Sequence, residues 1–312
     1  MAVFILGSDG IHGKEFAVNA LPIVYTPDLV SANQAMATKQ EQVLSVYPPE
    51  ELSARLARVR VGAFDFDGTL VTGSQWKVLD EFMSAELRQE AEAIRDWYFA
   101  HTRDGHSNGL SLDDEDWFHA DLAAGNRLVA EAAWIAESIR LFGKAGIGMD
   151  HIEKTAQQLI AREGAIELLG LMSQRVIISF GIEQVIKSWL TFHGLRSPVA
   201  ASRLTLKNGV VAGCHINLVV GETKPFAADR FRKLTGASEE ELMVVGDSVV
   251  DAAMMRPGGF NVMIMPPGES DKRIVEFREN HLPAMWDRLT LILQTDSLVP
   301  LVELIRTARV ST

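Results

Sequence analysis

The residues with the clearest chemical potential are two aspartates, Asp65 and Asp67, which end an apolar run that begins at Val59. Because side chains alternate along a strand, the two carboxylates point the same way while Phe66 turns back toward the core. Gly68 follows, and it can bend the backbone as a turn beyond a strand end requires. Two like charges this close repel each other, so they need a bound cation or a proton on one of them. The pattern indicates either an acidic site for ligand chemistry or a solvated Asp-Gly turn.

Four further polar residues stand where they could complete a site with these aspartates. Ser179 and Asp247 each end a short apolar run of strand type, and Asp251 falls one helical turn after Asp247. Lys224 lies near the start of a predicted helix. Each has a simpler explanation by itself, since Ser179 could cap a helix and Lys224 could be a solvated lysine of a first turn. The joint pattern, rather than any one member, favours a site.

The strands and helices around these residues alternate, which predicts the fold class. Such alternation implies an α/β protein with a doubly wound, mostly parallel sheet, whose ligands bind at the carboxyl ends of the strands. After Leu70 the strand signal stops, and helical periodicity takes over for roughly a hundred residues. We predict a helical N-terminal extension over residues 1–58, an α/β catalytic core over 59–72 and 163–312, and an inserted all-helical cap over 73–162.

Local signals outside the site predict two further features. Residues 27–46 are rich in amino acids that favour helix, and Pro48 and Pro49 mark the start of another helix. These signals are the basis for the helical N-terminal extension. Asn208 and Gly209 lie between two apolar runs and predict a β-hairpin.

The composition narrows the class of protein. The 312 residues are 47% apolar and 23% charged, which is typical of a globular protein. The formal net charge of −11 argues against a nucleic-acid partner and against an anionic membrane surface. Cys214 is the one cysteine, which excludes an internal disulfide and fits a reducing compartment. With no signal-peptide pattern and no apolar run of membrane-spanning length, we expect a cytoplasmic protein.

Four motifs occur in a fixed order along the chain. They are Asp65-Phe66-Asp67-Gly68-Thr69, the strand that ends at Ser179, Lys224, and Gly246-Asp247-Ser248-Val249-Val250-Asp251. This ordered set resembles the haloacid dehalogenase superfamily of aspartate-nucleophile phosphohydrolases, over roughly residues 59–265. The resemblance implies a Rossmann-like core with a helical cap between the first and second motifs.

The resemblance also implies a role for each carboxylate. Asp65 would be the nucleophile that forms an aspartyl-phosphate, and Asp67 would protonate the leaving group and then activate water. Asp65, Asp247 and the backbone carbonyl of Asp67 would hold Mg²⁺, which prefers oxygen ligands. Asp251 would support the metal shell or Lys224.

The phosphoryl group would need donors that neutralise its oxygens. The resemblance implies that Ser179 and the backbone amide of Gly181 hydrogen-bond these oxygens at a helix N-terminus. Lys224 would offset the negative charge between Asp65 and the phosphate. These assignments predict a Mg²⁺-dependent phosphomonoester hydrolase.

Two other classes of function remain open at this point. A dehalogenase is the alternative reaction, but the metal-free dehalogenases of this superfamily lack the second aspartate, which is present here as Asp67. A regulatory protein that retains the core is the non-enzymatic alternative. Loss of a motif aspartate would signal such a protein, and none is lost.

Within the superfamily the sequence resembles the phosphoserine phosphatase and pyrimidine 5′-nucleotidase branches. The nucleotidase likeness includes Arg88, Arg95 and Tyr98, on what would be the first long cap helix. A departure lies at Gly68-Thr69, which phosphoserine phosphatases carry and those nucleotidases usually do not. The expected substrate is a small phosphorylated metabolite, with nucleoside 5′-monophosphates as one class and phosphoserine-type or sugar phosphates as alternatives.

The cap offers candidate substrate contacts. Trp117 is one of several aromatic residues, with Trp76 and Trp97, that could stack on a base, although aromatics at helical spacing more often form a core. Asp121 could hydrogen-bond a sugar or base, or it could belong to a solvated acidic face. The N-terminal extension or the cap could also form a homodimer contact.

Overall fold

The computed structural model describes most of the chain. The described residues are 2–4, 14–15, 21–102, 127–215, 219, 221, 223–267, 279 and 281–310. The chain divides into two compact units. The first unit is Met1–Thr72, Ala161–Ile177 and Pro225–Thr312, and the second is Gly73–Ile160 and Ile178–Lys224.

Strands and helices alternate through much of the described chain. The strands are β1 (Ala2–Phe4), β2 (Lys14–Glu15), β3 (Ile23–Tyr25), β4 (Gln42–Ser45), β5 (Val61–Phe64), β6 (Val71–Thr72), β7 (Ile160–Ala161), β8 (Gln174–Ile182), β9 (Val199–Ser202), β10 (Leu204–Lys207), β11 (Val210–Cys214), β12 (Leu242–Gly246), β13 (Phe260–Ile264) and β14 (Leu291–Gln294). The helices are α1 (Leu29–Met36), α2 (Pro49–Arg58), α3 (Gln75–Asp80), α4 (Ala85–Thr102), α5 (Arg127–Lys144), α6 (Met149–Gln158), α7 (Ala165–Leu171), α8 (Glu183–Phe192), α9 (Lys224–Thr235), α10 (Val249–Ala252), α11 (Leu282–Met285) and α12 (Val299–Val310), with a 3₁₀ turn at Trp286–Arg288.

The first unit is built on a mostly parallel sheet, as predicted. Its strand order is β2-β1-β3-β4-β14-β13-β12-β5-β8. The five strands from β14 to β8 run parallel to one another, and β4 is antiparallel to β14. The residues of β5, β12 and β13 are all buried, as expected for strands in the middle of such a sheet. The predicted α/β fold class is confirmed.

The prediction of a helical N-terminal extension is wrong for part of residues 1–58. Helices α1 and α2 are present, but β3 and β4 add to the main sheet beyond β14. All four residues of β4 are buried, and the Gln42 amide donates to Gln294 Oε1 at 2.8 Å. Pairing on both sides of β4 satisfies its backbone groups, and this tertiary effect outweighs the local helix propensity of the segment.

The bounds of the second unit differ from those predicted for the cap. The described parts of residues 73–160 are mainly helical, as predicted, but residues 178–224 group with them rather than with the core. The reason is visible in the predicted hairpin, which β10 and β11 form. The Val211 amide donates to the Ile147 carbonyl at 2.8 Å, and Gly143 lies so close to the hairpin that an added Cβ would be 2.9 Å from the Val211 oxygen.

Aromatic residues fill the interior of the second unit. Trp76 is buried, and its ring centroid lies 4.6 Å from that of Trp134 and 5.8 Å from that of Phe142. Trp76 is therefore a core residue rather than an open stacking surface. In neither unit does a described helix have the length and apolar character needed to span a membrane.

Candidate active site

The nucleophile candidate lies directly after the central strand β5. β5 and β12 are parallel neighbours in which Phe64 pairs with Val245, so the two strands end at the same level. The amide of Asp65 donates to the Val245 carbonyl at 3.0 Å, and the Asp65 side chain is only 4% exposed. This register brings the segment after β5 beside the segment after β12, where Asp247 lies.

Three of the predicted carboxylates meet at these strand ends. Asp65, Asp247 and Asp251 each offer an oxygen, and the three oxygens lie within 4.8 Å of one another. Asp251 is fully buried, and its Oδ2 accepts hydrogen bonds from the Asp247 amide at 3.1 Å, the Ser248 amide at 3.0 Å and the Ser248 hydroxyl at 2.8 Å. Asp251 therefore shapes the turn that carries Asp247, in keeping with its expected supporting role.

The donor set of this acidic cluster fits a divalent cation. Three carboxylates this close repel one another, and a hard cation with oxygen ligands removes that repulsion. Two of the three, Asp65 and Asp251, are buried, where an uncompensated charge is most unfavourable. Asp65 and Asp247 are the residues that would hold such an ion. Asp67 lies in the loop that follows Asp65. It is half-buried, and its backbone forms a β-bridge with Val71.

The turn after Asp67 fits closely against the cluster. Gly68 has φ +77, a conformation that L side chains rarely adopt, and an added Cβ would overlap the Asp247 carboxylate, 2.8 Å from its Cγ. Thr69 is fully buried, and its hydroxyl donates to Asp247 Oδ1 at 3.3 Å. Gly68 thus leaves room for the Asp247 carboxylate, and Thr69 hydrogen-bonds to it.

Ser179 and Gly181 belong to the second unit, and their surroundings differ from the prediction. We expected the Gly181 amide to lie at a helix N-terminus, but β8 continues through Ile182 and α8 begins at Glu183. The Gly181 amide donates to Ser179 Oγ at 3.1 Å, and the Ile182 amide donates to Gln75 Oε1 at 2.7 Å. The two amides are held by side chains at a strand end rather than by a helix N-terminus, because the backbone stays extended there.

The residue that follows this strand end is an ion-paired glutamate. Burial alone would raise the pKa of Glu183, but hydrogen bonds from Arg203 and Lys187 lower it below its ordinary value. Glu183 is therefore ionised at neutral pH, and its charge is balanced inside the second unit.

Lys224 is the first residue of α9, and its side chain is 2% exposed. The explanation as a solvated first-turn lysine is therefore wrong. Three residues earlier, the amide of Gly221 donates to Glu131 Oε2 at 2.8 Å, and Glu131 is fully buried. Burial of an ammonium group is unfavourable unless it has hydrogen-bonding or charged partners, so exposure to solvent does not explain the position of Lys224.

A family model for haloacid dehalogenase-like hydrolases matches residues 63–256, more than half of the chain. The chain belongs to this hydrolase family. The match runs from the strand before Asp65 to beyond Asp251, so it includes the whole acidic cluster. The predicted family is thereby confirmed, and the enzyme class that the family match gives is a hydrolase.

Solved structures of a 5′-nucleotidase and of phosphoserine phosphatases share the fold. A cytosolic 5′-nucleotidase IIIB bound to cytidine aligns with a TM-score of 0.61 at 15% identity, covering 89% of this chain and 99% of its own. A phosphoserine phosphatase in apo form aligns with a TM-score of 0.52 at 16% identity, covering 78% and 98%. A probable phosphoserine phosphatase from Vibrio cholerae gives 0.52 at 13% identity, covering 82% and 68%. No curated protein matches the sequence significantly.

Two predicted substrate contacts belong to a part of the chain that is not described, and one contact of the site was not predicted from the sequence. Trp117 and Asp121 lie outside the described residues. Arg162 was not predicted, yet its guanidinium donates to the carbonyl of Thr69 at 2.9 Å. A lone arginine after a helical segment gives no sequence signal for such a contact, because its partners are backbone atoms more than ninety residues away.

We expect the substitution Asp247→Asn to weaken binding of Mg²⁺ at least ~10-fold, because it removes one charged ligand. The metal-free protein should not lose stability, since the substitution also relieves repulsion within the acidic cluster. Titration calorimetry with MgCl₂ and thermal unfolding measure the two effects. Asp287→Asn, the same change at an exposed site, is the control. Equal Mg²⁺ affinities for the Asp247→Asn variant and the parent would show that Asp247 is not a ligand.

Proposed function

We propose that the protein is a Mg²⁺-dependent phosphomonoester hydrolase that acts on a small metabolite through an aspartyl-phosphate at Asp65. The observation that carries the proposal is the acidic cluster of Asp65, Asp247 and Asp251 at adjacent strand ends. Membership of the hydrolase family and the presence of Asp67 support a hydrolytic phosphatase over a dehalogenase.

The proposed reaction assigns a task to each residue of the chain. An oxygen of the Asp65 carboxylate attacks phosphorus, and the bond from phosphorus to the ester oxygen breaks. Asp67 gives its proton to the departing alkoxide, then takes a proton from the water that attacks the aspartyl-phosphate, which releases inorganic phosphate. Bound Mg²⁺ would supply charge neutralisation of the phosphoryl oxygens.

Ser179, the Gly181 amide and Lys224 are proposed to bind the phosphoryl oxygens. The burial of Ser179 and Lys224, at 1% and 2% exposed, supports a role other than solvation or simple helix capping. In the described conformation the Ser179 hydroxyl oxygen accepts from the Gly181 amide, so the hydroxyl proton can donate to an anion. The Gly181 amide itself would have to exchange its bond to Ser179 Oγ for one to a phosphoryl oxygen when substrate binds. Asp251 is proposed as the supporting residue that fixes the Asp247 turn.

For the substrate we propose a nucleoside 5′-monophosphate. The higher structural similarity to a cytosolic 5′-nucleotidase than to the phosphoserine phosphatases supports this choice. Phosphoserine-type and sugar phosphates are the alternatives, and Trp117 and Asp121 remain proposed substrate contacts.

A hydrolysis panel tests the reaction and the substrate class together. Purified protein is assayed for phosphate release from nucleoside monophosphates, phosphoserine and sugar phosphates, each with MgCl₂ and with EDTA. We expect release that needs Mg²⁺, is fastest with a nucleoside monophosphate and is restored by excess MgCl₂. Release that EDTA leaves unchanged contradicts the metal dependence. If every ester is inert while the folded protein binds Mg²⁺, the non-enzymatic alternative is favoured.

We also propose a cellular location, a class of partners and an oligomeric state. A cytoplasmic location agrees with the single cysteine, and the net charge of −11 disfavours nucleic-acid and membrane-surface partners. A homodimer through the N-terminal segment or the cap is proposed from the sequence. Light scattering on the purified protein distinguishes one chain of 34.3 kDa from two.

A further inference from the structure

Arg162 makes a set of contacts with the turn that follows the catalytic aspartates. Its side chain is 5% exposed, and its Nε donates to the Thr69 carbonyl at 2.9 Å. Its Nη2 donates to the Gly68 carbonyl, and its Nη1 pairs with Asp296. Its backbone amide donates to the Leu70 carbonyl at 2.9 Å. Arg162 thus donates hydrogen bonds to three consecutive carbonyls of one turn, all within the first unit.

The carbonyl contacts, rather than the ion pair, account for the burial of Arg162. Asp296 has a side chain that is 64% exposed, and a pair with so exposed a partner contributes little to stability. A buried guanidinium is unfavourable unless its N–H groups are hydrogen-bonded, and its planar fork can donate to two acceptors at once. The backbone of the turn provides those acceptors.

The same turn holds a metal-ligand candidate. Gly68 packs against the carboxylate of Asp247, and the Thr69 hydroxyl donates to its Oδ1. A shift of the turn would therefore move Asp247 relative to Asp65. Asp67, which precedes Gly68, would shift with it.

We propose that Arg162 is a positioning residue of the active site. It fixes the Gly68–Thr69 turn so that Asp247 stays in the acidic cluster and Asp67 keeps its place beside Asp65. The inference rests on the proposed function for its kinetic consequence. Its consequence for metal binding depends only on the acidic cluster.

The key variant is Arg162→Lys, which keeps the charge but cannot span two carbonyls. Mg²⁺ binding is measured by calorimetry without substrate, and kcat and KM are measured at saturating MgCl₂. We expect the Mg²⁺ dissociation constant to rise and kcat to fall, each ~10–100-fold, with KM nearly unchanged, as for loss of an outer-shell partner. Asp296→Asn should have a much smaller effect on both. Arg306→Lys, at an exposed ion-paired arginine, is the matched control.

A purely structural role would lower the melting temperature of the Arg162→Lys variant and leave Mg²⁺ affinity and kcat near the parent values, which would overturn the proposal. An equal loss from Asp296→Asn would also overturn it, because the ion pair would then be the essential contact. If Arg162→Lys does not fold, Thr69→Val replaces it, since that change removes the hydroxyl link to Asp247 at constant shape. Unchanged Mg²⁺ affinity in Thr69→Val would equally overturn the proposal.

The two proposals can fail separately. A parent protein that binds Mg²⁺ but hydrolyses no phosphomonoester refutes the proposed function, and the metal titration of Arg162→Lys still decides the positioning role. A parent protein that hydrolyses phosphomonoesters, with Arg162→Lys unchanged in both measurements, refutes the positioning role alone.

Discussion

Asp65→Asn should abolish phosphomonoester hydrolysis, with a fall in kcat of at least about 10³-fold, because the amide cannot serve as the attacking carboxylate. The variant should stay folded, since asparagine is close to aspartate in size and the substitution lowers repulsion with Asp247 and Asp251. Initial rates with the best ester of the panel and thermal unfolding measure the two effects.

Asp287→Asn provides the control for Asp65→Asn, because it is the same chemical change at an exposed position of the same unit. It should keep the parent rate. Full activity in the Asp65→Asn variant would mean that another group attacks phosphorus, and the assignment of Asp65 would be wrong. Unfolding of that variant would leave the mechanism to be decided by direct detection of the intermediate.

Gly68→Ala should lower activity by changing the geometry of the site, because it removes no catalytic group. The backbone at φ +77 is strained for alanine, which costs about 1 kcal/mol of stability. The added Cβ would also overlap the Asp247 carboxylate and displace it from the cluster. A displacement of this kind lowers kcat by about 10²-fold. Denaturant unfolding gives the stability change, and steady-state kinetics gives the loss of activity.

Gly236→Ala separates the two effects of that substitution. Gly236 lies in the same unit at φ +67, and an added Cβ there would meet no atom within 4 Å. It should show a similar loss of stability with the parent kcat. Equal kcat values for the Gly68 and Gly236 variants would show that close packing against Asp247 does not matter for activity.

The central strands and their acidic ends could be predicted because their signals are local. The run before Asp65 and the run before Asp247 are short, apolar and followed by a Gly-containing turn. In a parallel sheet the carboxyl ends of strands share one edge, so the order of the motifs was enough to predict that these carboxylates meet. Asn208-Gly209 predicted its hairpin for the same reason, as turn chemistry is read from adjacent residues.

The parts that were wrong depend on distant partners. β4 has helix-favouring neighbours in sequence, and only its position between β3 and β14 makes it a strand. The carbonyl contacts of Arg162 were not predicted either, because they join residues more than ninety positions apart and do not follow from residue type or spacing. Gly181 was predicted to lie at a helix N-terminus, yet the backbone continues as a strand through Ile182.

Chemical trapping of the intermediate tests the central claim most directly. The protein is incubated with MgCl₂ and 4-nitrophenyl phosphate, quenched during turnover with acid, reduced with borohydride and digested for mass spectrometry. Borohydride converts an aspartyl-phosphate side chain to an alcohol, so an aspartate that carried the phosphoryl group becomes homoserine. We predict homoserine at position 65, and none there without the ester or in the Asp65→Asn variant. Rapid turnover with residue 65 unmodified, or reduction at another carboxylate, would contradict the account.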